Sequence, residues 1–546
     1  MTTEWRRCFT LCGAGHAILL TWGLCGVLVV GMVGGCSREY YKAKADEEVY
    51  KILEDKWQDD FGRMANYRIQ DADPNEVAAL EVVPPGGVMS LAGAVEIATR
   101  FSREYQSQKE SLYLSALDLT LTRHRYAPQW FGTFDVTYAK SAAGEDVTAG
   151  ASGGVNQTFL FASGLQMTGG LAVDWARFLS GDPQTTLGSV LTSTLAFPVL
   201  GSGAGLSAWE NLTQAERNVL YRIRSFNRYR QTFVVSVISD YYRVLQQRES
   251  VSIQEASYRR LVESTNQLRM EVEVGQRPAY DLGEAEQRLL SAEQNLVSAR
   301  QRYEQTLDRF KIRLALPTDA DVSLDPNELT MLADLGITRP EYTEADATEL
   351  ALERRLDLAN TRDGLYDAER RLELAAKGLG VQLNLIGSAN VASEPETKFA
   401  SLQFHEGRYR LGLEADLPLD RKAERNAYRE ALITVQQRYR NYDEQVDEVK
   451  LGVRQAYRDL AETAESYRIQ QIGLNLAQRR VEVEKLSLQY GRGTVRLLLD
   501  SEDALVRAQN DVLGALVDHM IAKLSFFRDI GVLQVRPDGM WEQTAQ

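Results

Sequence analysis

Apolar side chains recur along two stretches of the chain at alternating intervals of three and four residues. The first seam is Leu282, Ala285, Leu289, Ala292, Leu296 and Ala299, and the second is Leu498, Ser501, Leu505, Ala508, Val512 and Ala515. This spacing is typical of coiled-coil helices. Similar seams predict two longer helices, over about 208–274 and 422–490, each on the order of 100 Å long. Two shorter helices are predicted over about 90–126 and 281–315. Stacked end to end, they would be about as long as one of the long helices and could pack along it.

Between the helices the period changes from seven to two, which predicts strands over about 129–199 and 381–418. Leu383, Leu411 and Leu413 fall on the apolar face of these strands, and Asn384, Arg410 and Glu414 fall on the polar face. Strands of about ten residues with one apolar face are typical of an outer-membrane barrel wall, where the apolar side meets lipid. A soluble hairpin packed on a core alternates in the same way, so the strands alone leave both interpretations open.

The body of the chain is a tandem duplication. A shift of 216 positions places Tyr241 on Tyr457 and Gly275 on Gly491, and a shift of 253 places Ala98 on Ala351. Each repeat is expected to hold a helix, two strands, a very long helix and a further helix. The glycine-rich stretch 150–170 makes repeat 1 longer, and the pattern does not place its extra hairpin. The predicted segments are an N-terminal segment 36–89, repeat 1 at 90–316, a linker 317–342, repeat 2 at 343–532 and a tail 533–546.

The N-terminus has the features of a secretory signal. Arg6 and Arg7 precede an uncharged apolar stretch from Ala17 to Val33, which ends in Gly34-Gly35-Cys36. A charged start, an apolar core and small residues before a cut site are typical of a signal peptide, here residues 1–35. The ending resembles a bacterial lipobox, which would make Cys36 the lipid-modified, palmitate-bearing first residue. The alternative is an uncleaved membrane anchor.

Composition narrows the possible functions. The formal net charge of -14 and the pI near 5.1 argue against nucleic acid as a partner. All four cysteines lie within the first 36 residues, so disulfides, zinc ribbons and cysteine nucleophiles are excluded from the body. His519 falls on a helical seam and is expected to be a packed core residue. We find no nucleophile–base pair and no metal-ligand set, and therefore expect no enzyme, no cofactor and no metal site.

The order of these elements, duplicated and preceded by a lipobox, resembles the TolC-like outer-membrane efflux proteins. The most specific motif is Gly491-Arg492-Gly493-Thr494, followed by Asp500, which resembles the family's periplasmic hairpin turn. Repeat 1 offers Gly275-Gln276-Arg277-Pro278-Ala279, with Pro278 where Ser or Thr is usual. Repeat 2 departs from the pattern at Leu497, where an Asp is common.

The resemblance implies a fold that is mainly α with a membrane β-barrel portion. In a homotrimer, a long coiled-coil α-barrel would join a 12-stranded barrel to which each chain gives four strands. It also implies the channel-tunnel of a tripartite efflux or type I secretion system in the outer membrane of a Gram-negative-type bacterium. The duct would be lipid-anchored, would extend into the periplasm, and would work with a periplasmic adaptor and an inner-membrane pump. The alternative is a lipid-tethered periplasmic coiled-coil scaffold.

The hairpin tips are the candidate site. The expected adaptor contacts are Gly275, Gln276, Arg277, Ala279, Gly491, Arg492, Gly493 and Thr494. Asp281 and Asp500 follow the two glycine turns by less than three helical turns, so three copies of each would form acidic rings at the entrance. Arg496, with Arg277 and Arg492, is expected to hold neighbouring hairpins together through ion pairs.

Overall fold

The computed structural model describes residues 37–58, 61–69, 88–141, 144–178, 185–200, 204–337, 342–394, 398–417, 420–536 and 540–543. The predicted signal sequence and Cys36 lie outside these residues. The chain divides into two compact units, residues 1–55 and 56–546. The described part of the first unit is helix α1, which begins at Arg38 and runs to Lys56 at the start of the second unit. The second unit holds both repeats.

Repeat 1 begins with a short strand and two consecutive helices, continues through four strands and ends with two helices. Its elements are β1 (Val88–Met89), α2 (Leu91–Phe101), α3 (Arg103–His124), β2 (Gln129–Ser141), β3 (Gly144–Leu160), β4 (Gln166–Phe178), β5 (Thr185–Leu200), α4 (Ala204–Glu273) and α5 (Ala279–Arg313). At 70 residues, α4 is about 105 Å long, since an α-helix rises 1.5 Å per residue.

Repeat 2 follows a connection with one short strand and one short helix. The elements from there to the C-terminus are β6 (Ser323–Leu324), α6 (Asn327–Leu335), α7 (Glu344–Arg354), α8 (Leu356–Gly378), β7 (Gln382–Glu394), β8 (Lys398–Leu402), β9 (Arg408–Asp416), α9 (Lys422–Gln489), α10 (Val495–Asp529), β10 (Leu533–Val535) and β11 (Trp541–Gln543). None of the described helices is long and apolar enough to cross a bilayer.

The first helix of each repeat is broken at the same place. The pattern predicts one helix over about 90–126, but Ser102 has an extended ψ of 128° and separates α2 from α3. Arg355, which lies 253 positions later, has a ψ of 119° and separates α7 from α8. An extended residue interrupts the helical hydrogen-bond ladder without changing the apolar spacing on either side. The seam therefore continues across a break that periodicity does not show.

The sheet has more strands than predicted. Six strands run side by side in the order β2, β3, β4, β5, β7 and β9, and the short strand β8 pairs with the C-terminal end of β7. The expectation of four strands per chain is therefore wrong, although the mixed fold class is confirmed. The additional pair is the hairpin β3–β4, which carries the glycine-rich stretch. Glycine lacks strand propensity, so the local pattern gave no clear alternation there.

The register gives the whole sheet one apolar and one polar face. Residues paired across antiparallel strands lie on the same face. Trp130 pairs with Val155, Val155 with Leu171, Leu171 with Leu191, and Leu191 with Val391. On the last pair of strands, Leu385 pairs with Leu413, whereas Asn384 pairs with Glu414 on the opposite face. The predicted division between Leu413 and Glu414 is confirmed, and it extends over all six strands.

Equivalent aromatic contacts hold each long helix against the last helix of its repeat. The rings of Tyr241 and Phe310 meet edge to face at 6.1 Å, and those of Tyr457 and Phe526 do so at 6.0 Å. The two pairs are related by the 216-position shift. His519 is 4% exposed on α10 and contacts the Thr463 hydroxyl through Nδ1 at 3.3 Å, as expected of a core residue.

A polar zipper joins the two repeats along α4 and α8. Arg370 of α8 donates two hydrogen bonds to Glu210, and Arg217 of α4 lies 2.6 Å from the Asp367 carboxylate. Tyr221 donates to the same carboxylate, also at 2.6 Å. Further along, Arg224 contacts Asp363. The named side chains are spaced by seven, four and three residues on α4 and by four and three on α8, so the repeats are paired by charge where coiled coils normally pair by apolar contact.

Candidate functional site

Both hairpin tips are closed by the same glycine motif. Gly275 has a φ of 76° and Gly491 a φ of 69°. The next residue in each turn donates its N–H to a carbonyl five residues back, Gln276 to Glu271 and Arg492 to Ser487, both at 2.8 Å. This pattern is a Schellman motif, in which a left-handed residue, usually glycine, ends the helix. The turn geometry explains why glycine occupies both positions.

The two tips differ at the start of the following helix. The Thr494 hydroxyl accepts a hydrogen bond from the N–H of Leu497 at 3.4 Å and so caps α10. Pro278 occupies the corresponding position before α5 and has no side chain that can cap it. Proline nevertheless suits this end, because it lacks only an N–H that would have no partner within the helix. Gly493 cannot be replaced freely, since a Cβ there would lie 2.9 Å from the Leu488 nitrogen.

An apolar core lies behind the tips and joins the two hairpins of one chain. It consists of Leu261, Leu268, Ala285, Ala292, Val495 and Leu499, with Tyr258, Leu289 and Leu488 packed against it. The first four of these residues belong to hairpin α4–α5, and Val495 and Leu499 belong to hairpin α9–α10. The hairpins therefore form one packed unit near their ends.

Two ion pairs connect the same hairpins. One has its arginine on α5 and its carboxylate on α10, and the other has them the other way round. Arg288 of α5 lies 2.5 Å from Asp500 of α10 and also contacts Asp503. Arg496 of α10 lies 3.8 Å from Glu284 of α5. Glu284 and Asp500 are equivalent under the 216-position shift. Each hairpin therefore presents a carboxylate at this position to an arginine of the other hairpin.

The structure separates the predicted gate residues. Asp500 is paired with Arg288 within the chain, and its side chain remains 40% exposed. Asp281 is only 9% exposed in the first turn of α5. Arg277 donates to the Leu488 carbonyl at 3.4 Å and also contacts Glu271 at 3.4 Å, so it bridges one tip to the other. Asp281 is therefore nearly buried whereas Asp500 is partly exposed, and the acidic rings at the entrance stay a prediction.

The outer surface of the tips is unusually apolar for an exposed surface. Its large exposed side chains are Met270, Val274, Tyr280, Leu486, Tyr490 and Leu497. Tyr490 is 78% exposed and Tyr280 is 73% exposed. These residues flank the turns that carry Gly275, Gln276, Ala279, Arg492 and Gly493. Exposed apolar side chains grouped around polar turns are typical of surfaces that contact another protein.

Sequence reasoning missed Arg288, Asp503 and Glu284. Each lies on a helix face beside the apolar seam, where charged side chains of coiled coils usually make interhelical pairs. The duplication contained a signal for one of them, because Glu284 is the repeat-1 equivalent of Asp500. The partner arginines are not equivalent: Arg288 follows its repeat's acidic residue by four positions, whereas Arg496 precedes it by four.

Glu502 is a further carboxylate of this region. Burial raises its pKa, with the nearby Asp503 charge acting in the same direction and Arg260 acting against both. Because the ionised form is the disfavoured one, Glu502 reduces the stability of the folded tip at high pH. That penalty is relieved as the pH falls through its raised pKa.

Residues 191–311 match the outer membrane efflux protein family. The resemblance to the TolC-like outer-membrane efflux proteins is confirmed. The matched segment begins in β5 and covers α4, the Gly275 turn and nearly all of α5, so it contains one complete hairpin tip of the efflux protein fold. No curated protein sequence matches the chain.

Solved structures of membrane channels share the fold over most of their length. The chain is 14% identical to CusC with a TM-score of 0.58, covering 86% of this chain and 96% of that one. It is 13% identical to the CmeC outer membrane channel of Campylobacter jejuni, with a TM-score of 0.56 and coverage of 84% and 87%. For the MtrE outer membrane channel of Neisseria gonorrhoeae the identity is 13%, the TM-score 0.57 and the coverage 81% and 88%.

Proposed function

We propose that this protein is the outer-membrane channel-tunnel of a tripartite efflux or type I secretion system. It is a passive duct that carries solutes across the periplasm and the outer membrane. The observation that carries this proposal is the exposure of most of the apolar face of the sheet, where Val391, beside β8, is a buried exception. Trp130 is 81% exposed, Leu411 75% and Leu413 67%, and all three lie on that one face.

A sheet with a bare apolar face is unstable in water, because folded domains bury such a face against a second layer. Polar residues of the opposite face, such as Arg410 and Glu414, are exposed too, so this part of the sheet is a single layer. In a membrane barrel, lipid covers the apolar face of such a sheet and water covers the polar face, so no second protein layer is needed. A soluble scaffold with hairpins packed on a core would have covered Leu411 and Leu413, so this observation favours the duct.

The duct requires several copies of the chain. An open sheet edge is not tolerated in lipid, and six strands are fewer than the eight of the smallest membrane barrels. The edge strands β2 and β9 therefore pair with other copies, and a homotrimer is the assembly that the family resemblance implies. The same assembly aligns α4 and α9, each about 100 Å long, into a tunnel that extends into the periplasm.

The partners we propose are a periplasmic adaptor and an inner-membrane pump. The exposed apolar side chains around the tips, Tyr280 and Tyr490 above all, supply the contact area, and the turns at Gly275 and Gly491 supply its shape. The intrachain pairs Arg288–Asp500 and Arg496–Glu284 hold the entrance closed. Each exposed pair is worth about 0–1 kcal/mol, which an adaptor can overcome readily. Lipid on Cys36 would tether the chain to the outer membrane.

The test is reconstitution of the purified full-length mature protein into planar lipid bilayers, beside fractionation of cells that express it. We expect a trimer in the outer-membrane fraction and stepwise ion currents of uniform size. A monomeric rod released into the soluble periplasmic fraction, with no current at any protein concentration, would support the scaffold instead.

A further inference from the structure

The hairpin β3–β4 lies inside the sheet and not on its rim. β3 makes 13 residue pairs with β2 and 13 with β4, and β4 makes 12 with β5. The chain thus enters the sheet at β2 and leaves it at β5 with two full-length strands between them. Six strands per chain in three copies make 18 strands.

The inserted strands keep the alternation of their neighbours, so their apolar residues lie on the apolar face of the sheet and their polar residues on the polar face. On the apolar face, Ala151 pairs with Phe134 on one side and Trp175 on the other. On the polar face, the Thr133 and Ser152 hydroxyls are 2.6 Å apart, and the Thr158 and Thr168 hydroxyls are 3.1 Å apart. A hairpin folded away from the wall would need neither the matching apolar band nor hydroxyl contacts with its neighbours.

Glycines on the polar face of the insert let neighbouring side chains fold over the strands. A Cβ at Gly154 would lie 2.8 Å from the Phe131 ring, and one at Gly150 would lie 2.9 Å from the Asp135 carboxylate. The polar face is the inner, concave face of a barrel, where side chains are crowded together. Glycine there permits curvature that a larger residue would oppose.

The periplasmic turn of the insert is seated on the long helix. Gly164, with a φ of 81°, approaches so closely that a Cβ there would lie 2.8 Å from Leu206 in the first turn of α4. A Cβ on Gly205 would overlap the Gly164 carbonyl. The two glycines therefore permit backbone contact between the insert and α4 at the junction of sheet and helices.

The wider sheet also fits the ring of helices beneath it. Four helices per chain join the sheet, namely α3, α4, α8 and α9. Twelve helices spaced 8–10 Å apart need a perimeter of roughly 100–120 Å. Strands spaced about 4.8 Å apart and tilted about 40° give a perimeter of roughly 110 Å for 18 strands but only about 75 Å for 12.

We infer that three copies of this chain close an 18-stranded barrel, whose exit is about 1.5 times as wide as a 12-stranded exit and admits bulky hydrophilic cargo. This inference rests on the proposed outer-membrane duct. The inner wall of the insert is lined by small or polar groups such as Ser152, Asn156 and Asp174. An exit of this width and polarity admits larger hydrophilic cargo than a 12-stranded exit would.

The first experiment is electron cryomicroscopy of the purified full-length trimer in detergent, with the strands counted in cross-section. Eighteen strands support the inference. Twelve strands, with residues 144–178 outside the wall, overturn it and leave the proposed duct intact. A particle without any barrel overturns both proposals.

The second experiment is cysteine labelling on β3, where Ser152 and Ala151 are adjacent and of similar size. The chain has no cysteine beyond residue 36, so the background is low. In proteoliposomes, a water-soluble, membrane-impermeant maleimide should label Ser152→Cys at least tenfold faster than Ala151→Cys. Equal labelling of the two variants would place the insert in water on both sides and overturn the inference.

A third experiment measures exit width directly. Removing residues 144–182 joins β2 to β5 through a short loop and leaves four strands per chain. Neutral polymers added from the outer side should enter the native barrel at diameters about 1.5 times those admitted by the shortened one. Identical size limits in two assembled trimers would show that the insert does not widen the exit.

Discussion

The carboxylate of Asp500 lies 2.5 Å from the guanidinium of Arg288, which ties the tip of the second hairpin to the first within a single chain. Glu284, the equivalent of Asp500 in the first repeat, faces Arg496 of the second. The duplication therefore places a reciprocal pair of contacts between the two hairpins. In the proposed gate, movement of one hairpin against the other would break both contacts.

Replacing Asp500 with Ala should loosen the entrance and leave assembly intact. Arg288 keeps Asp503 as a partner, so the loss is about 0–1 kcal/mol for a partly exposed pair. We expect a changed single-channel conductance or cation preference in planar bilayers and an unchanged yield of trimer. Glu465→Ala, which removes an exposed pair with Arg468 within α9, is the matched control. Currents from Asp500→Ala that equal those of the control would remove Asp500 from the entrance.

Replacing Leu413 with Arg should reduce assembled trimer far more than replacing Glu414 with Arg. The two residues are adjacent on β9 and lie on opposite faces of the sheet. An arginine facing lipid near the midplane costs about 2–4 kcal/mol, whereas an arginine facing the lumen costs little. The measurement is the fraction of heat-modifiable trimer in the outer membrane. If both variants assemble equally well, the assignment of faces is wrong.

Replacing Gly491 with Leu should abolish export without preventing membrane insertion. The φ of 69° costs an L-residue about 1–2 kcal/mol, and the side chain would project from the proposed docking surface. Thr494→Leu, which also removes the cap of α10, should act in the same direction. Export assays and outer-membrane fractionation are run together, with Gly473→Leu inside α9 as the control. Normal export by Gly491→Leu would exclude the tip as the adaptor contact.

Replacing Asp367 with Asn should weaken the pairing of the two repeats, most clearly near neutral pH. Burial alone would raise the pKa of Asp367, but hydrogen bonds from Tyr221, Gln214 and Arg370 and the charge of Arg217 lower it below 3.8. Such a group adds stability above its ordinary pKa and loses it as the pH falls through the lowered one. Asp367→Asn should therefore lower the melting temperature at pH 7 and show a smaller difference near pH 3.

The control for Asp367 is Glu373→Gln on the same helix. Glu373 is exposed and pairs with Lys377 one turn away, so its replacement should leave the melting temperature close to that of the native protein. Breaking the more buried Asp367 contacts is expected to cost about 1–3 kcal/mol. A pH-independent difference between Asp367→Asn and the native protein would show that the charge of Asp367 is not the cause.

Replacing Cys36 with Ser should prevent lipid attachment and leave an unprocessed or mislocalised precursor. The barrel should still insert, because one lipid anchor supplies a tether and not the main membrane energy. Incorporation of radiolabelled fatty acid and the size of the mature chain measure the two effects. Unchanged labelling and processing in Cys36→Ser would reject the lipobox interpretation and favour an uncleaved anchor.

The sequence by itself determined the features that depend on local periodicity and on duplication. The seam through Leu282 and Leu289 predicts α5, and the longer seams predict α4 and α9 within a few residues of their observed ends. Alternation at Leu383 and Leu413 indicates a two-faced sheet. The glycines at 275 and 491 mark the tips because a left-handed turn requires a residue without a Cβ.

Tertiary structure decided everything that depends on which distant segments meet. Six strands replaced four because the hairpin β3–β4 is held by pairing with β2 and β5, whereas its own glycine-rich sequence has weak alternation. The partner of Asp500 is an arginine 212 positions away, which no spacing within one helix can indicate. The periodicity of a helix or strand depends only on residues that are close together in the sequence. Strand order and the partners of charges are set by packing between elements, which only the folded chain specifies.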